Sequence, residues 1–456
     1  MVDRPFWLVL ADPLSTRVFF DCGILAKLQE RLAGRLRVAF VFPWEQAEPW
    51  ARRLTDVPVL HEADLYPASA PAPERVRRRL DRGLDRRLGY YPLAIRLNYR
   101  HGFHRERMHP GHPNLLLDST RAGPLPRWAS LERAMFHWHF SPRRYVPSAL
   151  LSRLRAERPA VCFSNLQMQA AVPFIVAGRR LGLPLVGYVA SWDHTVGKGV
   201  ISPHLERYVV QNDVMRDDLV RFHDIEADRI AVTGWPQTDL FHIRRPREAY
   251  LALLERLGLA STRPLVLFMG NTPTNAPYEG RLVERLVAWQ DEHARNAPSL
   301  LFRPHPRDKA WRERFAPALG RTGAAVQEPS YSDLEDLATL LQHGDCVVSN
   351  AGTILLDALV NDRPAVCVLY DEGAPPGESW AAKNVVGEHY RELVDSGAFL
   401  RAERFDQVSA GIERCLAHPD ELAGERRRVV RTVVGEVDGH VADRCVEAIL
   451  SIDSRG

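Results

Sequence analysis

A chain of 456 residues exceeds the size at which one hydrophobic core keeps growing, so two domains of about 200 residues each are expected. Apolar residues at 45%, charged residues at 26% and a net charge of +3 describe an ordinary globular chain, and the near balance excludes a generalised nucleic-acid field. The cysteines (Cys22, Cys162, Cys346, Cys367, Cys415 and Cys445) are far apart and form no C-x-x-C, which points to a reduced, cytosolic chain. The first apolar run, Phe6 to Ala11, stops at Asp12-Pro13, too short for an export signal or a membrane span.

Short apolar runs alternate with helix-period segments along most of the chain, the pattern of parallel sheets joined by crossover helices. Strands are expected at 6–11, 37–43, 57–61, 159–165, 184–190, 207–211 and 229–233. A second series follows at 264–269, 299–303, 324–327, 345–349 and 364–370, with helices from about 405 onward. Arg244-Arg245-Pro246-Arg247 is the best linker, which gives a first domain over 1–245 and a second over 246–456. The stretch 438–453 is a helix that could return to the first domain. Between 62 and 158 the rhythm breaks into a helical insertion, and Pro71 to Arg107 carries eleven arginines against four acids. That basic stretch reads as a solvated helix face, with an acceptor-binding or anionic-membrane-facing patch, peripheral at the inner membrane face, as the other option.

Candidate chemistry gathers at the carboxyl ends of these strands, where open α/β sheets place their ligands. Asp12-Pro-Leu-Ser-Thr-Arg17 leaves the first strand, with Asp21 expected to open the next helix; helix capping and acceptor contact explain these residues about equally. His101, His104, His109 and His112 could converge on an ion, but glycine and proline interrupt them and no cysteine or acid completes a set, so no metal site is assigned. Ser191-Trp192-Asp193-His194 and Lys198 offer two bases, Asp193 and His194, and a cation for phosphate; neighbours in sequence cannot form a Ser-His-Asp triad. Thr233-Gly234-Trp235-Pro236 ends the next strand but one. In Phe302-Arg303-Pro304-His305-Pro306, arginine supplies a planar fork for phosphate and His305 can hydrogen-bond or protonate a departing one, although a histidine in a proline-rich turn is often structural.

The strongest signal is a buried strand running into Ser349-Asn350-Ala351-Gly352-Thr353 and a helix that carries Asp357. Small residues let backbone approach a ligand, and free N–H groups at a helix start attract phosphate. Asp357 could then accept from both ribose hydroxyls; a capped β-to-α turn with an exposed Asp357 is the bland alternative. No D-x-D, G-x-G-x-x-G or G-x-x-x-x-G-K-[ST] is present, which argues against GT-A chemistry, dinucleotide enzymes and P-loop NTPases.

The 349–357 segment resembles the nucleotide-binding strand-turn-helix of GT-B glycosyltransferases. Arg303-Pro304-His305-Pro306 resembles the R-P-H-P of CDP-glycerol glycerophosphotransferases and the H-P motif of capsule-type CMP-sugar transferases. The Ser191–Gly199 loop resembles an S-W-D-x-x-x-x-K-G loop of the same superfamily. The resemblance implies two doubly wound, Rossmann-like domains facing a cleft, and it adds Gly270, Asn271 and Thr272 as donor-diphosphate contacts. The Asp371-Glu372-Gly373 echo of an acidic motif falls after H-P instead of before it, so no role is carried over.

The expected function is a metal-independent transferase moving a glycosyl or polyol-phosphate group from a nucleotide-activated donor to a hydroxyl acceptor in cell-surface polymer synthesis, without a cofactor. Catalytic expectations are Asp193, His194 and His305. Donor expectations are Lys198, Gly270, Asn271, Thr272, Arg303, Ser349, Asn350, Gly352, Thr353 and Asp357. A UDP-sugar 2-epimerase and a non-catalytic nucleotide-sugar-binding protein are the alternatives.

Overall fold

Runs such as Phe6-Trp-Leu-Val-Leu10 have no polar alternate positions, so they are stable as strands only when covered on both faces. The computed structural model describes residues 4–65, 137–197, 201–294, 296–350, 352–375, 380–381 and 390–453, and five positions between 72 and 79. These divide into two compact units, one holding the described residues up to Gln237 and from His440 on, the other Thr238–Gly439.

In the first unit β1 (Phe6–Leu10), β2 (Leu36–Phe40), β3 (Val59–His61), β4 (Ala160–Phe163), β5 (Leu185–Tyr188), β6 (Arg207–Val210) and β7 (Ile230–Val232) form one sheet. Its order is β3-β2-β1-β4-β5-β6-β7 and every pairing is parallel. All residues of β1, β4 and β5 are buried. The second unit pairs β8 (Leu265–Met269), β9 (Ser299–Arg303), β10 (Ala324–Val326), β11 (Cys346–Asn350), β12 (Ala365–Val368) and β13 (Leu400–Ala402) in the order β10-β9-β8-β11-β12-β13, again all parallel. The twelve expected strands are all present. β13 is an addition.

The helix Glu279–Glu292 shows how the second core closes. Leu282, Val283, Leu286, Val287 and Trp289 recur on one helical face and are buried with Phe268, Phe302 and Phe315. Each such side chain contributes roughly 1.5–3 kcal/mol by leaving water.

Two expected boundaries are corrected. The 245/246 boundary moves to 237/238, because Gln342 Nε2 donates to the carbonyls of Phe241 and Ile243, each at 2.9 Å, and holds that segment on the second unit. The helix Val441–Leu450, expected in a second domain over 246–456, packs in the first unit. There Arg444 Nε donates to Thr233 O at 2.9 Å, Cys445 Sγ donates to Thr233 Oγ1 at 3.2 Å and Lys27 pairs with Asp443 at 2.6 Å. Most of the 62–158 insertion, including His101, His104, His109, His112 and nearly all of the basic stretch, lies outside the described residues, as does Lys198. All six cysteines are buried. Among the described residues no helix is long and apolar enough to cross a membrane.

Candidate functional site

In each sheet the chain builds outward on one side of its first strand and then crosses to the other. This leaves a crevice at the carboxyl ends of the two strands flanking the reversal. In the second unit those strands are β8 and β11. β8 ends at Met269 and runs into Gly270-Asn271-Thr272; β11 ends at Asn350 and feeds the helix Thr353–Val360 through Gly352. Asn271 Nδ2 donates to Asn350 Oδ1 at 3.3 Å and so joins the two loops. Ser349 is buried and donates its hydroxyl to Met269 O at 2.9 Å, which ties β11 to β8 below the crevice.

The two glycines differ in what makes them glycine. A Cβ on Gly270 would lie 3.0 Å from Phe315 Cζ, 3.1 Å from Glu279 Oε2 and 3.2 Å from Pro304 Cα, so a side chain there would force these neighbours to give by a few tenths of an ångström. Gly352 has an extended φ of −166°, which any residue adopts, and among the described residues a Cβ there would meet only Asn350 O at 3.8 Å and Ile354 Cγ2 at 4.0 Å. Packing among the described residues therefore does not demand glycine at 352. Gly352 brings no side chain to cap the helix, and while Leu355 N–H donates back to Gly352 O at 3.1 Å, the N–H groups of Thr353 and Ile354 ahead of it have no intrahelical acceptor.

Below the β8 loop sits a charged cluster that sequence reasoning missed. Glu279, Asp308 and Arg314 have side chains 1%, 0% and 11% exposed. Arg314 Nη1 donates to Asn271 O at 3.1 Å and to Asp308 Oδ2, while Nη2 donates to Ala276 O at 2.7 Å and Glu279 Oε2 at 2.8 Å. Glu279 Oε1 accepts from Asn271 N–H at 2.8 Å. Burial pushes the Glu279 carboxyl up to about 8, against the downward pull of Arg314 and of the Asn271 N–H. The sequence offered little signal, since the three residues stand apart in the chain and meet only once β8 and β9 pair.

Arg303 and His305 leave the end of β9. Arg303 is buried, donates through Nε to Gln327 Oε1 at 2.6 Å and pairs through Nη2 with Asp333, so in this structure its fork faces carboxylate and amide. His305 is half-buried; its Nδ1 accepts from Arg307 N–H at 3.0 Å, which puts the ring proton of a neutral imidazole on Nε2. Thr272 pairs with Thr274 at 3.0 Å, and its N–H donates to Asn271 Oδ1 at 2.8 Å. Asp357 is the fifth residue of its helix and is buried, where an exposed carboxylate was one of the two expectations.

In the first unit the β5 loop carries Asp193 and His194, both half-buried. Trp192 packs edge-on against Trp235 of the Thr233–Pro236 turn, with centroids 6.3 Å apart. From behind, Asp218 Oδ2 accepts from Thr195 Oγ1 at 2.6 Å. The fully buried His223 accepts at Nδ1 from Ile201 N–H (3.1 Å), so Nε2 is its donor to Thr195 O (2.7 Å). Asp12 resolves as a cap: Oδ1 accepts from Leu14 and Ser15 N–H at 2.9 and 3.1 Å, and Oδ2 from Ser15 Oγ and Asn165 Nδ2 at 2.7 and 2.9 Å. Asp21 closes the helix Pro13–Asp21 instead of opening the next, and pairs with Arg53 at 2.9 Å.

The sequence profile described as CDP-glycerol:poly(glycerophosphate) glycerophosphotransferase matches residues 198–451, more than half of the chain. The chain belongs to this glycerophosphotransferase family. Its members use a nucleotide-activated donor and a hydroxyl acceptor, which makes this a transferase family of cell-surface polymer synthesis. The match includes the whole β8–β11 crevice and begins just after Asp193 and His194. No curated protein sequence matches the chain.

Among solved structures, UDP-GlcNAc 2-epimerase from Neisseria meningitidis bound to UDP-GlcNAc is similar at a TM-score of 0.56 and 10% identity, covering 98% of this chain and 99% of that one. A putative UDP-N-acetylglucosamine 2-epimerase from Listeria monocytogenes gives 0.55 and 12%, covering 99% and 98%. A glycosyltransferase from Rickettsia africae gives 0.50 and 10%, covering 99% and 100%. At these identities the likeness shows the fold alone: two Rossmann-like domains. It does not choose between transferase and epimerase.

Proposed function

We propose that this glycerophosphotransferase-family chain transfers a polyol phosphate from a CDP-polyol donor, CDP-glycerol in the first instance, to a hydroxyl acceptor on a growing surface polymer. The acceptor oxygen forms a bond to the polyol-bearing phosphorus, the bond from that phosphorus to the bridging oxygen breaks, and the electron pair leaves with CMP. The acceptor proton passes to a base of the first unit, Asp193 or His194. The donor's phosphates lie at the uncapped start of the helix Thr353–Val360, against Gly270, Asn271, Thr272, Asn350, Gly352 and Thr353, and Asp357 accepts from ribose. His305 hydrogen-bonds the leaving phosphate through Nε2–H, and Lys198 adds a cation. Ser349 and Arg303 hold the strand ends from which these loops spring.

The observation that carries the reading is the crevice at β8 and β11: a glycine that packing among the described residues does not demand, at the N-cap of a helix where it brings no capping side chain, inside the segment matched by the family. Such a helix start attracts phosphate, and protein groups fixed there act without reorganising as charge develops. The test is ³¹P NMR of the protein with CDP-glycerol and a glycerophosphate-oligomer acceptor. CMP and a lengthened acceptor are expected. Acceptor-independent conversion of UDP-GlcNAc, with no CMP from CDP-glycerol, would replace this reading by the epimerase.

A further inference from the structure

Arg314 is not an isolated buried charge. Its guanidinium touches three pieces of chain that sequence keeps apart: the β8 loop at Asn271 and Ala276, the start of the helix Glu279–Glu292 at Glu279, and the β9 loop at Asp308. Asp308 belongs to the turn of His305, since its N–H donates to His305 O at 2.8 Å. Both backbone polar groups of Asn271 are engaged, the N–H by Glu279 and the carbonyl by Arg314. With its main chain fixed in this way, the Asn271 amide takes the Thr272 N–H at Oδ1 and reaches across the crevice to Asn350. A planar fork with several donors can hold such a junction; an ammonium is a point charge and cannot.

We propose that the Glu279–Arg314–Asp308 cluster is the positioning element of the phosphate-binding crevice, with Arg314 setting the His305 and Asn271 loops together and Glu279 making donor affinity depend on pH. This rests on the reading of the β8–β11 crevice as the donor site. Among the described residues the charged groups that act on Glu279 are Arg314 and Asp308. While Glu279 is protonated the cluster is neutral, one guanidinium against one carboxylate. Once Glu279 ionises, a net negative charge lies beneath the loop that faces the donor's phosphates. Affinity for an anionic donor therefore falls as pH rises through about 8, the value to which burial raises Glu279. An extra unit charge at such range in a partly screened site weakens binding by about three- to tenfold.

Calorimetry of CDP-glycerol, whose diphosphate does not titrate in this range, tests both parts at pH 7 and pH 9 with wild type, Arg314→Lys and the shape-preserving Glu279→Gln. In wild type the dissociation constant at pH 9 should exceed that at pH 7 by about three- to tenfold, and in E279Q the ratio should be near one. R314K, which keeps the charge and loses the fork, should weaken binding at pH 7 by tenfold or more with its far-UV signal intact; a purely structural arginine would lower the melting temperature and leave binding alone. Wild type that binds CDP-glycerol with the same pH ratio as E279Q overturns the inference and spares the donor site. Wild type that binds no cytidine nucleotide at all removes the donor site itself.

Discussion

Gly270 and Gly352 show how a residue's surroundings separate packing from ligand approach. At Gly270 three neighbouring groups crowd the place of a Cβ, whereas among the described residues Gly352 has room for one and an ordinary φ. Gly352→Ala should therefore leave the melting temperature almost unchanged and weaken CDP-glycerol binding tenfold or more, because the added methyl group enters the space above the helix start. A melt that collapses while binding persists would reverse that assignment. Asp357→Asn tests the neighbouring carboxylate: loss of a charged acceptor for ribose should cost about 1.5–3 kcal/mol of binding, read by calorimetry beside a thermal melt. If the melt falls and affinity holds, buried Asp357 is a structural residue. Both positions were legible from spacing alone, as a small-residue turn followed by a helical acid. That Ser349 bonds to a backbone carbonyl and Arg303 to Asp333 was not, because their partners arrive from elsewhere in the fold, the end of β8 and the start of the helix Leu334–His343.

Elements were legible wherever their apolar runs were continuous. The strands flanking both crevices, β1, β4, β8 and β11, lack polar alternation, and burial on both faces explains it. β13 escaped because Leu400-Arg401-Ala402 is three residues long and lies on a sheet edge, so only Ala402 is fully buried. The helix Val441–Leu450 was legible as a helix, but its unit was not, since amphipathicity does not say which core a face will meet. The β5 loop carries a further element-scale device, for His223 links Thr195 to Ile201 only as a neutral ring. Burial lowers its pKa to about 4 from the ordinary 6.5, against the upward pull of the Thr195 carbonyl and Asp224. A depressed histidine pKa gives stability that is present above about 6.5 and is lost as pH falls toward about 4, at roughly 1.4 kcal/mol for each pH unit crossed. Urea midpoints should fall between pH 7 and pH 4.5 in wild type and fall less in His223→Asn, whose amide can both accept and donate. Equal slopes would mean that His223 does not carry this acid sensitivity, which would pass to His204, held at about 4 chiefly by burial, or to the buried His139, held at about 3 by burial and by Arg144.

At the scale of the whole molecule, turnover needs proton removal from the acceptor and stabilisation of departing CMP, and the candidate groups belong to different units: Asp193 and His194 to the first, His305 to the second. Both functions act mainly in the transition state, so their loss should lower kcat more than it raises the KM for donor. At saturating CDP-glycerol, His305→Ala should lower kcat by 10²–10⁴-fold, the usual range for a proton-transferring group, and one of Asp193→Ala and His194→Ala should do the same. The other should act weakly, because only one group can hold the acceptor proton. A pH–rate profile then assigns the base: removing it should abolish the acidic limb, while His305→Ala, which removes a hydrogen-bond donor that the neutral ring keeps throughout, should lower the rate without changing the shape of the profile. EDTA should leave the wild-type rate unchanged, since every phosphate contact in the reading is a protein group; activity that disappears in chelator and returns with a divalent ion would require a metal-held donor. If neither first-unit substitution lowers kcat by even about tenfold, the barrier change is below about 1.4 kcal/mol and proton removal falls to another group of the chain, with Asp21 or His104 the next to substitute.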